Sequence, residues 1–135
     1  MIVADCTLIA QLFLTAPDTE LARQVALRDA DWLVPPLWRS ELRSVLRKYL
    51  LRGNITIDEC LDVMSAAEAM IGNGETEVSS ADVLSIVASS GCSAYDAEYI
   101  SIARLGGIPL VTSDRALRQR FPGIAVSAAD FLSRK

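Results

Sequence analysis

The chain has 135 residues, 51% hydrophobic and 22% charged, with a formal net charge of −4. That length gives one domain, able to bury roughly two-thirds of the surface its unfolded chain exposes, and no apolar run approaches the ~20 residues of a membrane helix. Histidine is absent and the only lysines are Lys48 and Lys135, which excludes Ser-His-Asp and Cys-His catalysis, imidazole-dependent zinc sites and any P-loop. Chemistry must therefore come from Asp, Glu, hydroxyls and Arg. Cys6, Cys60 and Cys92 are odd in number and widely spaced, and read as reduced, buried thiols rather than a disulfide frame. The N-terminal segment lacks a basic stretch and carries Asp5, so it does not read as a signal peptide, and a cytoplasmic protein is expected.

In chain order, residues 2–4 form a short buried strand ending at Asp5, after which Leu8, Ile9, Leu12 and Phe13 recur at helical spacing. A second helix is predicted over about 19–28 and a strand over 32–34, closed by Pro35 and Pro36. Proline suits a helix start, and a long helix over about 37–52 stops at Gly53-Asn54. Thr56 with Glu59 reads as a capping box opening a helix to about residue 71, broken by Gly72-Asn73-Gly74. A weak strand is expected at 75–78. Ser79 with Asp82 caps a helix to about 90, and Ser93 with Asp96 one to about 105, ended by Gly106-Gly107. Strand 108–111, a short helix to about 121 after Thr112-Ser113-Asp114, strand 124–126, and a helix capped by Ser127 and Asp130 complete the chain. Short strands alternating with helices give one α/β domain, a parallel sheet flanked by helices in three layers.

In such a sheet each helix starts near the carboxyl edge of the strands, where ligands bind. Asp5 follows strand one, Glu41 lies about one turn into the helix after strand two, Asp96 opens the helix feeding strand 108–111, and Asp114 stands three residues beyond that strand. Topology thus brings these carboxylates together. Gathered acids repel, and some must protonate unless a cation sits among them; an all-oxygen set suits Mg²⁺ or Mn²⁺. Taken singly, Asp96 and Asp114 also read as helix caps and Glu41 as a partner of Arg39 or Arg43. Asp5 is harder to explain away, since an aspartate ending an apolar strand is costly without a partner. The acidic balance argues against a simple phosphate-binding surface unless the acids share one pocket.

Four strings in order, VADCTLI, VPPLWRSELRSVL, SAYDAEYISIA and PLVTSD, resemble the PIN domain, and more narrowly its VapC-type ribonuclease toxins, over essentially the whole chain. The resemblance implies a PIN-like fold and endonucleolytic cleavage of RNA with Mg²⁺ or Mn²⁺, by a homodimer held in check by a cognate antitoxin. It places Asp5, Glu41, Asp96 and Asp114 at the acidic catalytic and metal-binding positions, and Thr7 and Thr112 at hydroxyl positions that orient them. Where the family often has asparagine, three residues after the glutamate, this chain has Ser44.

Arg115 and Arg118, just beyond Asp114, are the better candidates for RNA backbone contact. Arg39, Arg43 and Arg47 stripe one helix face, with Arg43 a further RNA-binding candidate against the alternative of a solvated, ion-paired face. Tyr95, Tyr99 and Trp38 suit base stacking less well than core packing. Met64 and Met70 suit helix packing or a partner groove. Glu98 points away from Asp96 on a helix. A receiver domain wants a lysine after a late strand and 108–114 offers none; a haloacid-dehalogenase-type phosphatase wants D-x-D where this chain has Asp5-Cys6-Thr7. An RNA-processing nuclease outside a toxin–antitoxin pair, and a non-catalytic acidic-pocket binding module, are the alternatives.

Overall fold

The computed structural model describes residues 1–134. Four short strands, β1 (Ile2–Ala4), β2 (Trp32–Leu33), β3 (Leu110–Val111) and β4 (Ala125–Val126), form one sheet in the order β2-β1-β3-β4, and every pairing is parallel. Eight helices connect and cover them: α1 (Cys6–Phe13), α2 (Thr19–Arg28), α3 (Trp38–Leu51), α4 (Ile57–Ile71), α5 (Ser80–Ser90), α6 (Ala94–Gly106), α7 (Arg115–Arg120) and α8 (Ala128–Ser133). None is long and apolar enough to cross a membrane.

Strand alternation splits the core in two. Ile2, Ala4, Val111 and Val126 point to the layer holding Trp38, Leu42 and Leu46 of α3, with α1, α2, α4 and α8. Val3, Leu110 and Ala125 point to the opposite layer, built on Ile86 of α5 and on Tyr99, Ile100 and Ala103 of α6. Ile2, Val3 and Ala4 are all fully buried, as a central parallel strand covered on both sides requires. The sheet is flanked by helices as expected.

The chain winds outward from β1 to β2, then crosses back to β3 on the other side of β1. Such a reversal opens a crevice outside the carboxyl ends of the two strands that flank it, here β1 and β3. That crevice is where Asp5 and Asp114 emerge.

Local signals hold well. Thr56 accepts from the Glu59 N–H at 3.2 Å while the Glu59 carboxylate accepts from the Thr56 N–H at 3.2 Å, a complete capping box. Ser79, Ser93 and Ser127 each cap a helix by accepting an N–H three residues on. β1 spans residues 2–4 as expected, while the other three strands are shorter than expected. Ile108 spends its N–H on the Ala103 carbonyl at the end of α6, with Gly107 at φ 61 turning the chain, so the ladder starts only at Leu110.

Residues 75–78 are not a strand. Only Glu75 pairs, in a single parallel bridge with Val34, and the backbone then leaves the edge toward Ser79 at the start of α5. Gly74 makes this bridge possible: a Cβ there would lie 2.0 Å from the Trp32 carbonyl oxygen. Glu75 is fixed by the Trp38 indole N–H at 2.8 Å and by a short contact from Arg39, which also pairs with Glu68 at 3.6 Å and stacks on the Trp38 ring at 5.4 Å. This cluster ties the start of α3 to α4 and to the sheet edge, and so sets where Glu41 stands.

Candidate active site

Four helices begin at the crevice, and each delivers one acid. Asp5 is the N-cap residue of α1, Glu41 lies in the first turn of α3, Asp96 in the first turn of α6, and Asp114 caps α7. Unpaired N–H groups and the helix dipole favour a carboxylate at that end. All four line one open pocket of about 670 Å³ together with Thr7, Ser44, Lys48 and Tyr95.

Strand register decides how Asp5 is held. Val3 pairs with Leu110 and Ala4 with Val111, so Asp5 and Thr112 come next, side by side. Thr112 Oγ1 donates to Asp5 Oδ2 in a short contact, and Thr7 Oγ1 donates to the same oxygen at 3.2 Å. The Thr112 hydroxyl also accepts the Asp114 N–H at 3.0 Å, and its own N–H is held by the Val126 carbonyl at 2.9 Å. One buried hydroxyl therefore joins two acids through its separate donor and acceptor functions. Glu41 is held from the other side of the sheet. Tyr99 is 1% exposed, and its hydroxyl donates to Glu41 Oε1 at 2.6 Å.

Burial raises the Asp5, Glu41 and Asp96 carboxyls above their ordinary values, and neighbouring acids raise them further: Asp96 acts on Asp5, Asp5 and Asp96 on Glu41, and Asp114 on Asp96. Hydrogen bonds from Thr112 and Thr7 to Asp5, and from Tyr99 to Glu41, oppose that rise without cancelling it. The Tyr99 phenol is pushed up by burial and by Glu41, so it stays a donor, and the Cys6 thiol is pushed up to about 12. Several acids strained toward protonation in one pocket are what a cation relieves.

The donor set is all oxygen, which fits Mg²⁺ or Mn²⁺ and not zinc. Glu41 and Asp114 each have one oxygen engaged, by Tyr99 and by the Leu117 N–H at 3.0 Å. Their other oxygens make no hydrogen bond to a described residue and are left for a ligand. Among the described residues no three acids stand close enough to clasp an ion as they are, so an ion would draw them inward.

The structure brings Asp5, Thr7, Glu41, Ser44, Asp96 and Asp114 to the pocket wall, with Thr112 directly behind Asp5. It does not bring the arginines there. Arg39 is spent on Glu75 and Glu68. Arg43 lies with Arg47 on a separate groove between α3 and α4, over Leu46, Leu50, Leu61 and Met64. Arg115 is exposed and Arg118 borders a neighbouring cavity. Glu98 does not line the pocket. Trp38 and Tyr99 pack in the core as expected, but Tyr95 is 66% exposed beside Asp96. It stays outside because it stands in the first turn of α6 at the rim of the pocket, before the helix is covered from Ala97 onward.

Sequence reasoning missed Lys48. It lies seven residues after Glu41, about 20° from it around the helix at ~100° per residue, so Glu41, Ser44 and Lys48 share one face. That spacing was a usable signal, overshadowed by the more conspicuous arginine stripe. The Tyr99–Glu41 bond joins residues 58 apart and had none.

A sequence-family model of the PIN domain matches residues 2–120. A protein named Ribonuclease VapC3, from Pyrobaculum aerophilum, is 26% identical over 127 residues, spanning 91% of this chain and 96% of that protein. The crystal structure of PAE2754, also from Pyrobaculum aerophilum, superposes with a TM-score of 0.76 at 20% identity, covering 97% of this chain and 85% of that one. At that identity the structural likeness speaks for the fold.

Proposed function

The chain belongs to the PIN domain family, and from that premise we propose that it is a Mg²⁺- or Mn²⁺-dependent endoribonuclease of VapC type, the toxin of a toxin–antitoxin pair. The observation that carries this reading is the delivery of Asp5, Glu41, Asp96 and Asp114 by four helix starts to one pocket at the reversal between β1 and β3. The named relative of similar length supports the choice of RNA as substrate.

Asp5, Glu41, Asp96 and Asp114 would hold the ion, which when bound polarises a phosphodiester and lowers the pKa of a water on it. Thr7 and Thr112 fix the Asp5 carboxylate, and Tyr99 fixes Glu41, so that their oxygens are aimed before substrate arrives. An acid whose affinity for protons is raised is suited to take the proton of an attacking water. Lys48 offers an ammonium at the pocket wall, where the phosphodiester is drawn against an otherwise acidic lining. Ser44 supplies a hydroxyl one turn from Glu41.

The groove between α3 and α4 supports the antitoxin. Its apolar floor, with Ile57 58% and Leu61 57% exposed, is edged by Arg43 and Arg47, a pattern that fits an amphipathic segment carrying acids. Exposed Leu84 and Leu105, on the packed pair α5 and α6, support self-association.

Purified protein should cleave single-stranded RNA with Mg²⁺ or Mn²⁺, stop in chelator, and lose activity in Asp5→Asn and Asp96→Asn while remaining folded. Expression should arrest growth, and Asp5→Asn should relieve it. Cleavage that persists in both variants, or in chelator, would sink the proposed site.

A further inference from the structure

Behind the wall formed by Thr112, Ser113 and Asp114 lies a second cavity of about 240 Å³. Its polar lining is Gln11, Asp18, Thr112, Ser113, Arg118 and Ser127. Asp114 faces the acidic pocket and Thr112 and Ser113 face this one, so a single tripeptide separates them.

Arg118 is anchored one turn after Asp114, its N–H bonded to the Asp114 carbonyl at 3.1 Å. Its side chain is half-buried, and Nε is fully buried with no hydrogen-bond partner among the described residues. It forms no ion pair among the described residues, although Asp18 borders the same cavity. Among the described residues the other buried polar side-chain atom without a partner is the neutral Ser101 hydroxyl. Nε is closed off from water, so only the rest of the Arg118 side chain can meet a ligand in the cavity. A half-buried cation without an ion-pair partner beside a cavity suits an anionic acceptor. A guanidinium matches phosphate oxygens with paired donors.

We propose that this cavity is a phosphate subsite for the RNA strand, in which Arg118 grips the backbone beside the phosphodiester held at the acids. Ser113, Ser127 and Gln11 add neutral donors around the cavity that Arg118 borders. The subsite rests on the nuclease reading for its place next to the cleaved bond, but its phosphate chemistry is tested separately.

Binding of a fluorescent single-stranded RNA should be followed by anisotropy, in chelator, at several salt concentrations. Arg118→Ala should bind about tenfold more weakly and lose about 0.7 from the slope of log affinity against log salt, as one lost phosphate contact predicts. Arg118→Lys should keep that slope and recover part of the affinity, whereas Arg52→Ala, at the C-cap of α3, should match wild type. Melting temperatures of all variants report folding, and Arg118→Lys keeps the test valid if Arg118→Ala is unstable. Wild-type affinity and slope in Arg118→Ala, or no RNA binding by wild type, overturns the proposal. So does an Arg118-dependent stabilisation by inorganic phosphate without any effect on RNA. If Arg118→Ala weakens binding but wild type cleaves no RNA with either ion, the subsite stands and the nuclease reading falls. If wild type cleaves and Arg118→Ala binds normally, the subsite falls alone.

Discussion

Replacing Tyr99 by Phe removes one oxygen and leaves the buried ring in place. The packing of a side chain that is 1% exposed is therefore retained, and the change isolates the 2.6 Å bond to Glu41. A hydrogen bond to a charged group contributes about 1.5–3 kcal/mol, and burying a ring without its hydroxyl offsets part of that. The expected net loss at neutral pH is about 1–2 kcal/mol, or roughly 3–8 °C in Tm for a chain of this size. Its pH dependence follows from the sign of the shift. Burial already raises the Glu41 carboxyl above its ordinary 4.5, and Tyr99 opposes that rise. A raised carboxyl weakens the fold as pH climbs from the unfolded value through the folded one. Without the Tyr99 bond the rise is larger, because the one hydrogen bond that favours the charged carboxylate is gone. The deficit of Tyr99→Phe should be small near pH 4 and full at pH 7. Urea unfolding of both proteins in chelator at the two pH values measures it. An equal deficit at both, or none at pH 7, refutes the claim that Tyr99 acts through the Glu41 charge.

Asp5→Asn should stabilise the metal-free protein at pH 7 by roughly 2–5 °C, the shift given by about 1 kcal/mol. Burial and the charge of Asp96 raise the Asp5 carboxyl, so its ionisation costs stability above its ordinary 3.8, and the gain should vanish below that pH. Mn²⁺ should raise the melting temperature of wild type more than that of Asp5→Asn. Gly74→Ala should cost about 3 kcal/mol or more, because its Cβ meets the Trp32 carbonyl at 2.0 Å and that backbone cannot yield cheaply; thermal unfolding measures it. Cys6, Cys60 and Cys92 are free and buried, with the Cys6 thiol pushed up to about 12. Iodoacetamide at pH 8 should leave all three unlabelled by mass spectrometry until the chain is unfolded.

The sequence by itself determined what depends on near neighbours along the chain. The Thr56–Glu59 box, the serine caps at 79, 93 and 127, and the glycine stops at 53 and 107 involve residues within about four positions, and each appears where its pattern predicts. Helix order and three buried residues in β1 were enough to place Asp5, Glu41, Asp96 and Asp114 at one edge, because each of these four acids sits at the start of a helix that begins there. The caps did not compete with the site: Asp114 caps α7 with one oxygen and turns the other out.

Tertiary structure decided what depends on register and on packing across the sheet. The 107-residue separation between Thr112 and Asp5 closes only because Ala4 pairs with Val111. Tyr99 reaches Glu41 because α6 and α3 sit on opposite layers and meet at the crevice. Arg39 of the arginine stripe is taken up by Glu75 and Glu68, which a helical projection does not show. The 75–78 strand shrank to one bridge for a similar reason, since a weak local pattern cannot say how much sheet edge is left to pair. Lys48 sat in plain view at the spacing of Glu41, and Arg118 acquired its unmatched donor only when α7 folded over the second cavity. Local periodicity fixes which way a side chain leaves its own helix; what it meets there is fixed by elements far away in sequence.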